Sequence, residues 1–421
     1  MKFRSFTIIA LLLITSTISY ASKQIPYSVR FIVYHAQKLM QDKRYDEAIQ
    51  LLERFKKRDK SYSKHHLIDF LLGNCFFIKG EYKKAVQYYE SSVRKNPKFF
   101  YGWFNLAECL YELKKYKEAA FSFVKAYNVS SKKDPEYLYY AGISFLSAGM
   151  CKDAIKELKK IFNSSKTKKT EWEEAIAHAY ISCNEFKEAL PFVEELSEKE
   201  NKNKRRWQRI RVQLYLSLDM ENKALSYLER LVKENPTDPI WWKGLAHIYL
   251  KRNQYKDALC ALIIKGFLSP ISDQEKRIMA QLNLMIGLPK QALKLYLQLA
   301  NREPDSKLYY YIAQCYLRMH RSRDAIVYLD KAIRLDPKNK QYVILKANLF
   351  YQLGEYKKAG MIFENMARKN IEPARSWLMA GYSYISAGET KKAYYALSQA
   401  RRYPKQKKSA EKALIFLNRK G

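Results

Sequence analysis

Three cations recur at a fixed interval in the middle of the chain. Arg209, Lys243 and Arg277 stand 34 residues apart, and each is followed four residues later by Gln213, His247 or Gln281. Side chains four apart on a helix are neighbours on one face, so stacked units would align the cations beside amides and an imidazole. Such a ladder suits carboxylates or an extended peptide backbone. Arg206, Lys251, Lys307 and Arg318 would widen it. Catalysis finds little support. The chain has no Gly-rich phosphate loop, no His-Glu-x-x-His and no Gly-x-Ser-x-Gly, and its six histidines are scattered. His65 and His66 form the only close pair, and at a helix start both rings cannot readily face one metal. A non-enzyme with neither cofactor nor metal is the expectation.

Six cysteines raise the question of disulfides. Cys75, Cys109 and Cys315 hold the same place in their units, and equivalent places on neighbouring helices lie roughly 8 to 10 Å apart, beyond the usual disulfide reach of about 4.4 to 6.8 Å. They read as small buried hydrophobes. Cys151, Cys183 and Cys260 share no register that suggests a metal site.

These residues need a scaffold, and the scaffold is periodic. In the stretch Ser306 to Pro337, Tyr309, Ile312, Ala313 and Tyr316 fall on one helix face, and Ala325, Leu329 and Ala332 on one face of a second. Ala347, Phe350, Ala359 and Phe363 repeat the pattern further on, and so do Trp377, Gly381, Ala393 and Leu397. Anchored on the alanine of the second helix, the units begin with Ala48, Ala85 and Ala119 and run to Ala393, spaced 33 to 37 residues apart, eleven in all. Several follow one phrase, as in Tyr45-Asp46-Glu47-Ala48, Tyr116-Lys117-Glu118-Ala119 and Tyr356-Lys357-Lys358-Ala359. Pro97, Pro236, Pro270, Pro304 and Pro337 close second helices. Residues 408–421 read as a final helix covering the last unit.

Met1 to Ala21 stands apart, with Lys2 and Arg4, then an apolar run from Phe6 to Ile14, then Ser19-Tyr20-Ala21. That is the pattern of a cleaved secretory signal, with cleavage expected after Ala21 and a periplasmic or envelope location. The formal net charge of +35 favours acidic partners, anionic polysaccharide or a membrane surface. Nucleic acid is a poor first choice for an exported chain.

The sequence resembles the tetratricopeptide repeat family, whose unit is a helix, a turn and a helix. The residues that carry the resemblance include Trp103, Leu106, Ala107, Ala119, Phe123 and Ala126 in the third unit, Trp242, Leu245, Ala246, Tyr249, Ala258 and Pro270 in the seventh, and Gly73, Ala85 and Pro97 in the second. It covers residues 29 to 407. His35 and Phe55 depart from the pattern in the first unit, and Asn283 stands in the eighth where an aromatic is expected. The resemblance implies an all-α, right-handed superhelical solenoid of about eleven hairpins, closed by the C-terminal helix. It further implies that first helices line a concave groove, into which their second, fifth, ninth and twelfth residues point. In units two to four those residues include Phe70, Asn74, Phe77, Tyr101, Phe104, Tyr111 and Tyr139, an aromatic groove. The acidic fifth unit, with Glu171, Glu173 and Glu174, separates it from the basic ladder. The expected division is therefore residues 22–162 with the aromatic groove and 163–407 with the basic one. Residues 163–170 are the most linker-like stretch. Function is read as a non-enzymatic scaffold in the cell envelope that holds proteins or peptides, with a carrier or organiser of an anionic envelope polymer as the alternative.

Overall fold

The computed structural model describes residues 25–58, 65–164 and 169–418. The signal-like segment, residues 165–168 of the linker-like stretch and the last residues of the chain lie outside them. The described residues form helices and no strand. None of those helices is long and apolar enough to cross a membrane.

Among the described residues, twenty-two helices pair in sequence into eleven repeats, each with a helix A and a helix B, followed by one further helix, Pro404–Asn418. Repeat two, for instance, is His66–Ile78 and Tyr82–Lys95, and repeat three is Phe100–Glu112 and Tyr116–Val129. The chain forms two compact units, one ending at Met220 and the other starting at Glu221. The division falls in the A-to-B turn of repeat six, between Lys204–Ser217 and Glu221–Glu234. This differs from a division at residue 162, where the sequence shows a polar stretch. Within each unit, successive helices pack on one another.

The alanine register explains the close approach. Ala48, Ala85, Ala119, Ala154 and Ala189 in the first unit, and Ala224, Ala258, Ala292, Ala325, Ala359 and Ala393 in the second, are all fully buried. A methyl group at this place lets the helices meet, and a larger side chain would overpack the contact. Glycine serves the same end on helix A. A Cβ at Gly73 would stand 2.6 Å from the Tyr89 ring, and one at Gly142 would stand 2.5 Å from Leu158. The phrase that opens the B helices is also structural. Tyr45, Tyr82, Tyr116, Phe186, Tyr255 and Tyr356 are each the first residue of a helix B.

Every repeat turns from A to B through one residue of positive φ. Five are glycines, such as Gly80 at +77° and Gly354 at +76°, and the others are Lys43, Lys114, Asn184, Asp219, Asn253 and His320. The left-handed region costs an L residue roughly 1 to 2 kcal/mol, which glycine avoids. B helices end as the prolines require: Lys95 is the last residue of its helix, and Pro97 follows the Asn96 cap. Trp103 and Trp242 then donate their indole N–H groups to the carbonyls of Pro97 and Pro236, at 2.9 and 2.8 Å. These bonds tie each B helix end to the next helix A. Pro404–Asn418 buries Ala410, Ala413, Leu414 and Leu417, as a cap on the last repeat should.

The cysteines follow the sequence reading in part. Cys75, Cys109 and Cys315 are free and buried, and Cys260 is free and exposed. Cys151 and Cys183, however, form a disulfide, with Cα atoms 5.7 Å apart. The comparison of equivalent places could not find it, because the two places differ: Cys151 opens helix B of repeat four, and Cys183 caps helix A of repeat five. The end of one A helix lies beside the A-to-B turn of the preceding repeat, within bonding reach.

Candidate partner-binding site

In the first unit the expected aromatic groove is largely packed upon itself. Phe70 is only 1% exposed and lies edge-on to Phe99 with ring centroids 5.0 Å apart, so its ring belongs to the core and not to a groove. Asn74 is buried too, and its carbonyl oxygen accepts bonds from the Tyr89 hydroxyl at 2.8 Å and the Asn105 amide at 2.9 Å. Both are corrections to the sequence reading. The aromatic that opens the next repeat covers the first, and a polar bridge between A helices consumes the second.

Phe77 and Tyr111 are half-buried and pack edge-on against Tyr82 and Tyr116, with centroids 5.4 and 5.0 Å apart. They staple the A-to-B turns. Tyr101, Phe104 and Tyr139 are half-buried as well. Phe104 meets Phe123 of its own repeat and Tyr137 of the next, at 5.7 and 5.6 Å. Burial pushes the Tyr139 phenol up to about 12. Beside these rings, burial and then the Glu112 charge push the Glu108 carboxyl up to about 7.

Two of the acids of repeat five are structural. Glu173 is buried and paired with Lys199, while Glu174 accepts from the Trp207 indole at 3.1 Å and the Asn203 amide at 2.8 Å. His65 caps helix A of repeat two through Nδ1, and His66 packs edge-on against Phe99 at 4.7 Å. Burial lowers the His66 imidazole to about 4.

The cationic residues divide between the units. Arg209 and Gln213 lie in the first, both exposed. In the second, Lys243, His247 and Gln281 are exposed and Arg277 is half-buried. Lys243 Nζ lies 3.6 Å from the Glu275 carboxylate, and Arg277 Nη1 lies 3.7 Å from that of Asp305. Each cation thus reaches an acid at the start of the next helix A, a surface pairing worth about 0 to 1 kcal/mol. Glu275 is also the hub of a buried pair, accepting from Lys265 Nζ at 2.7 Å and from the Ser272 backbone at 2.9 Å. Asn283, the aromatic missing from repeat eight, is buried and donates its amide to the Met279 carbonyl at 2.8 Å.

Open space lies elsewhere in the second unit. The A helices of repeats nine and ten, Ser306–Arg318 and Lys340–Gln352, border a cleft of about 490 Å³ lined by Tyr310, Gln314, Leu317, Arg318, Gln341, Ile344, Leu345 and Asn348. Tyr310 and Gln314, like Ile344 and Asn348, stand at the fifth and ninth places that Lys243 and His247 hold in repeat seven. A second cleft, of about 420 Å³, lies between Tyr351 of repeat ten, Tyr382, Ile385 and Ser386 of repeat eleven, and Ser409, Lys412, Ala413 and Phe416 of the final helix. Helix A of repeat ten borders both. The linings offer amides that donate and accept, aromatic and aliphatic walls and two cations, with no carboxylate. Of these lining residues the sequence pointed only to Arg318, as a cation widening the ladder. The signal was available in the same helix places, in the two repeats that follow the ladder directly. Among the described residues no group of three or more His, Cys, Asp or Glu is placed to hold a metal ion.

Comparison with known proteins gives partial matches along the chain. The model of anaphase-promoting complex (cyclosome) subunit 3 matches residues 59–126 and 290–366, and that of the Chs5p-Arf1p-binding proteins matches residues 136–281. The TPR repeat-containing protein YpiA of Bacillus subtilis (strain 168) is 35% identical over 96 residues, a segment that spans 22% of each chain. Among solved structures, the Naa15/Naa10 complex bound to HypK-THB aligns with a TM-score of 0.44 at 15% identity, covering 96% of this chain and 74% of that one. A tetratricopeptide repeat protein of Parabacteroides merdae aligns with a TM-score of 0.34 at 14% identity, covering 77% and 100%. Repeat arrays of this kind are interaction scaffolds, which present the faces of their stacked helices to other proteins. With helix pairs repeating at intervals near 34 residues, a fully buried alanine in every helix B and a left-handed residue in every A-to-B turn, the described residues are built as tetratricopeptide repeats.

Proposed function

We propose that the protein is a non-catalytic scaffold of the cell envelope that holds an extended segment of a partner protein against the A helices of repeats nine to eleven. The observation that carries this reading is the cleft lined by Tyr310, Gln314, Ile344 and Asn348. Its amides match the alternating donors and acceptors of an extended backbone, and the aromatic and aliphatic walls take apolar side chains. Arg318 and Lys412 favour an acidic residue near either end of the segment. The signal-like start of the sequence supports an exported location, and so does the Cys151–Cys183 disulfide, since such bonds persist in oxidising compartments. The pairing of Lys243 with Glu275 and of Arg277 with Asp305 weighs against the anionic-polymer alternative, because those cations already face carboxylates.

Photo-crosslinking in living cells tests the reading. The whole chain would carry benzoylphenylalanine at Gln314 or Asn348 in the cleft, or at Val327, which is 53% exposed on helix B of repeat nine. Discrete protein adducts from the cleft positions, absent from the Val327 position, are expected. Identical adducts from all three positions, or none from the cleft, would overturn the reading.

A further inference from the structure

The first described helix presents an aromatic face that no other described residue covers. Tyr27–Gln41 buries Val29, Val33, Ala36 and Met40 against its own repeat. On the opposite side Tyr27, Phe31 and Tyr34 are 76%, 52% and 63% exposed, one helical turn apart. Terminal repeats of a solenoid ordinarily turn a polar face outward, so three consecutive exposed rings at this end call for an occupant.

Charge narrows the choice. The helix contains no Asp or Glu, the stripe continues into exposed Lys38, and the Arg30 guanidinium lies 6.0 Å from the Tyr27 ring centre. A second copy on the same face would bring cations against cations. An anionic lipid surface would not. Tyrosine and phenylalanine settle at the headgroup level of a bilayer, and nearby Lys and Arg side chains gain from its negative surface potential. We propose that the Tyr27, Phe31 and Tyr34 face of the first helix docks on an anionic membrane surface. This is independent of the cleft in repeats nine and ten, and it would hold the array at the bilayer while that cleft engages a protein.

Hydroxyl-radical footprinting read by mass spectrometry tests it. The chain purified from cells expressing the whole sequence is oxidised alone, with phosphatidylcholine vesicles, and with vesicles of mixed phosphatidylglycerol and phosphatidylcholine. Oxidation of Tyr27, Phe31 and Tyr34 should fall at least about fivefold with the anionic vesicles only, as expected for side chains moved from water to a headgroup layer. Phe121 and Phe267, which are 49% and 85% exposed, serve as controls and should keep their rates. The variant carrying Tyr27→Ser, Phe31→Ser and Tyr34→Ser should co-sediment several-fold less with those vesicles. Unchanged oxidation of the three rings in vesicle-bound protein would overturn the proposal. So would rings that are protected without vesicles. Protection that is lost on dilution would identify a second copy as the occupant, and protection at all concentrations would identify the chain's own N-terminal segment.

Discussion

Replacing Cys151 and Cys183 together by Ser opens a covalent loop whose ends are 32 residues apart in sequence. The loop joins the start of helix B in repeat four to the end of helix A in repeat five, across residues 165–168. A cross-link of that span restricts the unfolded chain, and the loop-entropy relation gives about 3.7 kcal/mol of stabilisation at 25 °C. For a unit of this size the loss should lower the midpoint of thermal unfolding by on the order of 10 °C. The assay is calorimetry of the oxidised chain, the reduced and alkylated chain, and the double variant, with disulfide content checked by mass spectrometry. Reduced and variant proteins should unfold together and below the oxidised one, with the second unit unaffected. Coincident transitions in all three, or two free thiols at these positions in protein isolated from the envelope, would refute both the staple and the support it lends to export.

Two carboxylates should give opposite pH signatures. Burial raises the Glu275 pKa, but bonds from Lys265 and Ser272 outweigh it and hold the group at about 2, against an ordinary 4.5. Its stabilisation, at most about 3 kcal/mol, is therefore present above pH 4.5 and is lost as pH falls toward 2. Glu275→Gln should remove that slope in acid titrations of the second unit. Glu108 runs the other way: with its carboxyl raised from 4.5 to about 7, the folded state keeps a proton that the unfolded chain has released. Stability should then fall as pH rises through that window, and Glu108→Gln should stabilise the first unit at pH 8 by on the order of 1 to 3 kcal/mol in denaturant titrations. Two glycine substitutions should fail for different reasons. Gly142→Ala places a Cβ 2.5 Å from buried Leu158 and should cost about 1 to 3 kcal/mol by overpacking. Gly80→Ala meets open space but a φ of +77°, and should cost about 1 kcal/mol through backbone strain alone.

The period and the helix contacts were legible because they depend on local chemistry. An alanine one turn into helix B and an aromatic at its start recur in the sequence for the same reason that they recur in the structure. The turns were half legible: Gly80 and Gly354 announce a left-handed residue, whereas Lys43, Lys114 and His320 hold the same conformation without a compositional sign. The groove was less so. The family resemblance assigned Phe70 and Asn74 to a groove face, but it could not show that Phe99 covers one and that Tyr89 and Asn105 use the other. The disulfide was hidden because it joins unlike places in neighbouring repeats, a relation that depends on how the repeats stack. The ladder of Lys243 and Arg277 was read from cations alone, while Glu275 and Asp305, which meet them, belong to the following helices. The clefts of repeats nine to eleven went unnoticed because amides and rings carry no charge pattern.

The central claim is that the A helices of repeats nine and ten hold a partner segment. The most direct measurement is a fluorescence titration of a labelled peptide, taken from the partner identified by crosslinking, against the whole chain and its Ile344→Glu variant, with circular dichroism to check folding. Ile344 is half-buried in the cleft wall, so the added carboxylate should leave the helices intact. It should weaken binding at least about tenfold, equivalent to 1.4 kcal/mol, by placing a charge where an apolar group is to be buried. Equal affinity for the two folded proteins would contradict the account.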